Sequence, residues 1–288
     1  MTIDELREQC VFRYRVMNKN TMKEALNSEI WHSTIEGLND PFEFPTRINW
    51  DELEKKDAAT LTKYARFFSI LPDEEITYYI VRQQLELLYE IIKTSLESSK
   101  KAFYDYSESL IVACFSNNLT SPLMWSHYSD GMKGLCIAYN RKVLEASDSF
   151  LLQPVVYNKT PFTFDYKDLM HIPAVDEFKF YNYEKNEESV SKGFLVRLNS
   201  YHYLYQKHDR WEYEGELRNI IDPNSSKSEF TSGKLIEFPN DSISAIIIGY
   251  KMTAIHQKLV AKYCALHNIP IFMASPNFSD YSVRVKAL

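Results

Sequence analysis

Residues 242–250 read SISAIIIGY, and from Ala245 to Ile248 every side chain is apolar. Successive side chains of a strand point to opposite faces, so a strand without polar alternation must be covered on both sides. This one segment requires a layered fold with packing above and below a sheet. The neighbouring segments agree. CVFRYRV (10–16) alternates Phe12, Tyr14 and Val16 with Arg13 and Arg15, the period of a strand with one polar face. Further strands are expected at IWHST, SLIVACFS, KGLCIAYN, FLLQPVVYN, residues 211–221, KLIEFP, IPIFMAS and YSVRVKAL.

Helical patterns interrupt the strands in four places, the first of them a short helix expected at TMKEALNSE before IWHST. TAIHQKLVAKYCALHN predicts an amphipathic helix with Ile255, Leu259, Tyr263 and Leu266 toward the core. Residues 50–107 are charged and helical, and Val81, Leu85, Leu88, Ile92 and Leu96 lay one apolar stripe along a long helix. A second helical region is expected over roughly 173–207. The pattern predicts one α+β domain over residues 1–288, with mixed, largely antiparallel sheets, flanking helices and a helical insertion at about 50–107.

Composition narrows the function. Thirty-three basic against thirty-nine acidic residues give a net charge of −6, which removes any global attraction to nucleic acid or anionic lipid. Seven glycines, with no GxGxxG or GxxxxGK[ST], argue against phosphate loops of the glycine-rich kind. Cys10, Cys114, Cys136 and Cys264 form no CxxC pair, and no HExxH is present, so neither a disulfide framework nor a zinc site is expected. The opening MTIDELREQC has no apolar stretch, and a cytoplasmic protein without a membrane partner is the expectation.

The segment RWEYEGELRNI (210–220) carries the chemistry. Read as one strand, it puts Glu212, Glu214, Glu216 and Arg218 on one face and Trp211, Tyr213 and Leu217 on the other. Gly215 marks a bulge or a close approach. Paired carboxylates suit cleavage at an anomeric carbon, where one steadies an oxocarbenium-like transition state and the other activates the nucleophile. They equally suit a Mg²⁺ site completed by Asp40 and Glu43 of GLNDPFE, which would make the chain a metal-dependent nuclease or phosphodiesterase. In that loop Asn39 or Asp40 can simply close an Asx-turn before Pro41. Trp125, His127 and Tyr128 form an aromatic group able to stack a planar ring, against which stands the ordinary role of a satisfied structural histidine. Arg13 and Arg15 offer a guanidinium fork for a pyrophosphate or a structural ion pair. KHDR, from Lys207 to Arg210, with its nearby tyrosines can form a platform for an unpaired base. A third reading is a noncatalytic sensor or interaction module with a regulatory protein partner.

Taken in order, FRYR, IWHSTIEGLNDPFE, ACFSNNLTSPLMWSHYSDGMKGLCIAYN, VVYN, KHDRWEYEGELRNI and ISAIIIGYKMTAIHQKLVAKYCALHNIPIFMAS closely resemble the bacterial family called domain of unknown function 2971. That resemblance implies a single cytoplasmic domain associated with mobile or defence loci. More distantly, the chain is similar to toxin-type ADP-ribosyltransferases. On that resemblance Arg13 matches the first-strand basic residue and binds the pyrophosphate of NAD, with Ser33 or Ser116 as the middle element. Glu216 holds the nicotinamide-ribose hydroxyl and steadies the oxocarbenium, and Glu214 activates a protein or nucleic-acid acceptor. The implied activity is that of an intracellular effector in antiviral defence or a toxin system.

Overall fold

The computed structural model describes residues 2–44, 46–165, 178–182, 187–191, 201–221 and 233–288. The chain begins with α1 (Ile3–Gln9), β1 (Cys10–Arg15), α2 (Lys19–Leu26) and β2 (Glu29–Thr34). It continues through β3 (Thr46–Asn49), α3 (Ala58–Phe67), α4 (Asp73–Val81) and α5 (Leu85–Ser109). Next come β4 (Ile111–Ser116), α6 (Pro122–His127), β5 (Leu135–Asn140), α7 (Arg141–Leu144), β6 (Gln153–Pro154) and β7 (Val156–Asn158). After β8 (Phe162–Asp165), β9 (Phe178–Asn182) and β10 (Glu187–Ser191) come β11 (Gln206–His208), β12 (Glu216–Ile221) and β13 (Gly233–Glu237). The last elements are β14 (Ile243–Gly249), α8 (Ala254–Leu266), β15 (Ile271–Asn277) and β16 (Ser282–Ala287). The class is α+β, with mixed and mostly antiparallel sheets. No helix among the described residues is long and apolar enough to cross a membrane.

The chain divides into two compact units. The first comprises Met1–Glu43, Ser109–Thr160 and Tyr205–Leu288, and the second Phe44–Glu108 and Pro161–Leu204. The first is built on a sheet ordered β13-β2-β4-β1-β5-β14-β15-β16, with β12 added to β4 and β6 to β12. Its pairs are antiparallel except β14 with β15, which α8 connects. As its composition demands, β14 is covered on both faces. Ala245 and Ile247 join one core with Phe12, Tyr14 and Trp125, while Ile246 and Ile248 join the other with Val11, Ile137 and Tyr263. Each fully buried isoleucine contributes about 1.5–3 kcal/mol to folding.

β4 is the fork of this sheet. One edge pairs along its whole length with β12, from Ile111↔Ile221 to Ser116↔Glu216. The other edge meets β2 at Ile111 and Val112 and β1 only at Ser116. The end of β4 at Ser116 therefore faces the start of β12 at Glu216.

The second unit contains the expected helices. Leu61, Tyr64, Ile76, Leu88, Ile92 and Leu96 bury there as one cluster. The single stripe expected from Val81 to Leu96 is interrupted, because Gln83 adopts a left-handed φ of 56° between α4 and α5 and leaves Val81 exposed. Within the region expected to be helical over 173–207, residues 178–182 and 187–191 instead pair as the antiparallel strands β9 and β10. FKFYN alternates Phe178 and Phe180 about Lys179, which fits a ladder better than a helical stripe, whereas EESVS carries no such signal. Residues 166–177, 183–186 and 192–200 lie outside the described ones.

Two further expectations change. β1 has no solvated face, because it lies between β4 and β5 with packing on either side, and Arg13 is buried in it. α8 turns Val260, Tyr263 and Cys264 inward, whereas Ile255, Leu259 and Leu266 are exposed.

Candidate functional site: a buried charge cluster beside an aromatic cleft

The segment expected as one strand from 211 to 221 is two elements. Residues Asp209–Glu214 form a 3-10 helix, and the strand begins at Glu216. Between them Gly215 has φ +49°, and a β-carbon there would overlap the Asn117 side chain. Glycine is required both by the left-handed backbone and by the close approach. The turn is fastened to the end of β4. Asn117 N donates to Gly215 O at 2.9 Å, Ser116 Oγ donates to Glu214 O, and Glu216 N donates to Tyr157 Oη at 2.8 Å.

The bend separates the four residues that a continuous strand would have aligned. Glu212 is exposed, while Glu214, Glu216 and Arg218 are buried. Lys207 of β11 stands among them. Its Nζ lies 2.8 Å from Glu214, 3.2 Å from Glu216 and 3.4 Å from Glu43. Arg218 donates from Nε to Glu216 at 2.8 Å and from Nη2 to Glu43 at 2.7 Å. All five side chains are at most 4% exposed. Buried charges persist only when paired and hydrogen-bonded, and here three carboxylates share two cations.

The sharing is unequal. Burial pushes the Glu43 carboxyl up, and Arg218 and Lys207 only partly offset it. Glu214 is likewise raised by burial, with Lys207 and Tyr128 pulling the other way. Burial would raise Glu216 too, but Arg218 and Lys207 hold it below the usual carboxylate range. Burial alone would lower Lys207, yet Glu216, Glu43 and Glu214 overcome that and raise it. The cluster thus contains one firmly ionised carboxylate and two that take up protons more readily.

Asp40 and Asn39 sit on the loop leading to Glu43. Asp40 Oδ1 accepts from Phe42 N at 3.0 Å, the Asx-turn that loop chemistry allows. Asn39 Nδ2 donates to Tyr128 Oη at 2.6 Å, and Tyr128 Oη donates to Glu214 Oε1. Burial and the neighbouring Glu214 raise Tyr128 well above its ordinary value, so the phenol keeps its proton.

A cleft of about 570 Å³ opens beside this relay, lined by Asn39, His127, Tyr128, Arg210, Trp211 and Tyr213. The His127 and Tyr213 rings lie 6.0 Å apart, as do those of Trp211 and Tyr213. Lys207 Nζ is 4.8 Å from the Trp211 ring centre, so that indole borders both the cleft and the charge cluster.

Of the expected site residues, Glu43, Lys207, Glu214, Glu216 and Arg218 therefore converge, with Asn39, His127, Tyr128 and Trp211 at the adjoining cleft. The others make contacts within the fold, Asp40 through its Asx-turn. Trp125 is fully buried, donates from Nε1 to Leu119 O at 3.0 Å and packs edge-on against Tyr14, so it cannot stack a ligand. Arg13 donates to Trp31 O at 2.6 Å within the sheet core, where burial lowers it to about 10, and it is not available to a pyrophosphate. Arg15 pairs with Glu24 of α2 rather than with the late glutamates. Ser116 orients the Glu214 carbonyl, and Ser33 Oγ lies against Gly37. Among the described residues no group of three or more His, Cys, Asp or Glu side chains is arranged to hold a metal ion. The Lys207 ammonium stands where Glu43, Glu214 and Glu216 meet. Arg210 and Tyr213 also line the cleft, Tyr213 on the side it shares with Trp211, while Tyr157 carried no signal beyond VVYN.

No curated protein and no solved structure matches the chain, so the comparisons add no support for the ADP-ribosyltransferase similarity. The family model described as Protein of unknown function (DUF2971) matches residues 124–219, from α6 to β12. That span includes Tyr128, Lys207, Trp211 and the Glu214–Arg218 turn, and it is over this part that the chain is similar to the family.

Proposed function

We propose that the cleft binds a nucleotide with a planar ring, NAD foremost, and that the chain transfers its ADP-ribosyl group to a macromolecular acceptor in a bacterial defence or toxin setting. The observation that carries this reading is that Glu214, alone among the three clustered carboxylates, is hydrogen-bonded to a cleft-lining side chain, Tyr128. The cleft falls within the roughly 300–1,000 Å³ typical of small-molecule sites. Trp211, Tyr213 and His127 supply ring faces, and Arg210 supplies a cation for one phosphate.

In this mechanism the bond between ribose C1′ and the nicotinamide nitrogen breaks, and its electron pair leaves with nicotinamide. Glu214 steadies the positive charge left on the sugar. The acceptor's nucleophile then bonds to C1′, and its proton passes through Tyr128 to Glu214. Glu216 is a positioning residue, since Arg218 and Lys207 enclose it. The ADP-ribosyltransferase resemblance gives the sugar charge to Glu216; here Glu214 takes that role as well as the acceptor's proton.

A second reading is binding without chemistry. It is favoured by the same cluster, because Lys207 and Arg218 already engage every carboxylate. One experiment separates the two. NAD binding is measured by intrinsic fluorescence quenching, and free nicotinamide is followed with and without cell extract as acceptor source. Transfer requires nicotinamide release that Glu214→Gln abolishes while NAD binding survives. Binding without release in any condition supports the second reading, and no binding at all removes both.

A further inference from the structure

The helix α8 presents a second surface, unrelated to the cleft. Its exposed side carries Ile255, Leu259, Lys262 and Leu266, with Ile255 and Leu266 at least 70% exposed. The intervals are four, three and four, the spacing of a coiled-coil seam rather than of a helix packed on a sheet. The helix is already docked through Val260, Tyr263 and Cys264, with Tyr263 Oη donating to Ala25 O at 3.0 Å. The seam is therefore additional to the face that holds α8 in the fold.

Charge identifies what would cover it. The chain carries −6 overall, yet no acidic residue occurs between Tyr250 and Ser279, a stretch that contains Lys251, Lys258 and Lys262. Among the described residues neither Lys258 nor Lys262 is paired with a carboxylate. A second copy fits poorly, because pairing α8 with itself brings four lysines together with no acid between them. A lysine at a seam position costs stability against an apolar or basic partner, and an acid facing it offsets that cost and selects the partner that carries it.

We propose that α8 is a docking helix for an acidic amphipathic helix of a separate protein, with apolar residues meeting Ile255, Leu259 and Leu266 and a carboxylate meeting Lys262.

The test uses the full chain and two fluorescent peptides of roughly three heptads with leucine seams. One has glutamate at the seam position facing Lys262 and at the flanks, and the other has lysine there. The glutamate peptide is expected to bind at least tenfold tighter than the lysine peptide. Leu259→Glu should weaken it at least tenfold with the melting temperature unchanged, and Lys262→Glu should reverse the preference between peptides. Equal binding of both peptides, or binding of neither, overturns the proposal. So does capture by phosphatidylserine vesicles that Leu259→Glu abolishes while the glutamate peptide fails to compete. A dimer in sedimentation that Leu259→Glu dissociates would assign the seam to a second copy instead.

Discussion

Replacing Lys207 by methionine tests the charge cluster most directly. The substitution keeps the apolar stem beside Trp211 and removes the ammonium that lies 2.8–3.4 Å from three carboxylates. At an effective dielectric of about 20, a pair of unit charges some 4 Å apart attracts by about 4 kcal/mol before desolvation is charged against it. Removing one partner of a buried pair costs about 3–5 kcal/mol, because the charge left behind has no compensation. Lys207 serves three carboxylates and only Arg218 would remain, so the upper half of that range is expected at pH 8. Lowering the pH should relieve the loss. Burial already places Glu43 and Glu214 above their ordinary values, and losing Lys207 raises them further above the unfolded ones. The folded variant then binds more protons than the unfolded chain, so its stability rises as pH falls and declines as pH climbs through the raised values. Urea unfolding followed by tryptophan fluorescence should show a deficit of about 4 kcal/mol at pH 8. The deficit should narrow by at least about 1.4 kcal/mol at pH 5.5, the equivalent of one pKa unit. Glu214→Gln in the same chain should recover part of it. A deficit below about 1 kcal/mol at pH 8, with no narrowing, would mean that water reaches these carboxylates and that the cluster is not a buried unit.

Two further outcomes follow from single residues. Gly215→Ala forces a β-carbon into Asn117 at φ +49°, so a loss of about 1–3 kcal/mol is expected, read as a lower melting temperature; a neutral result would contradict the turn. His32 is fully buried, and burial together with Arg13 lowers it to about 3, far under its unfolded value. Its contribution is complete above about pH 6.5 and is lost as pH falls toward 3, at up to about 1.4 kcal/mol per unit. His32→Gln should flatten the acid limb of the stability curve between pH 6 and 4, and an unchanged slope would place a solvent path to the ring.

Much of the fold was legible in local pattern. The unbroken apolar run of β14 demanded cover on both faces, because burial and side-chain period are coupled; the alternation in CVFRYRV located β1 as a strand, although both of its faces are packed. The cluster was legible only as a list of charged residues. Glu43 and Arg218 are 175 positions apart, and nothing local says that they meet.

What the sequence by itself determined was most of the strands and helices, though not the β9–β10 pair or the 3-10 helix before Gly215, and that paired glutamates stand near that glycine. Only the tertiary structure decided how they are used. The left-handed glycine splits the expected strand, so Glu212 goes to solvent while Glu214 and Glu216 go inward. Cover from neighbouring strands turned Arg13 into a core residue. The side of α8 that meets the sheet was fixed by what lay beneath it, leaving Ile255, Leu259 and Leu266 outside. Helical periodicity marks the apolar positions of such a helix, but which of them is buried depends on packing partners far away in the chain.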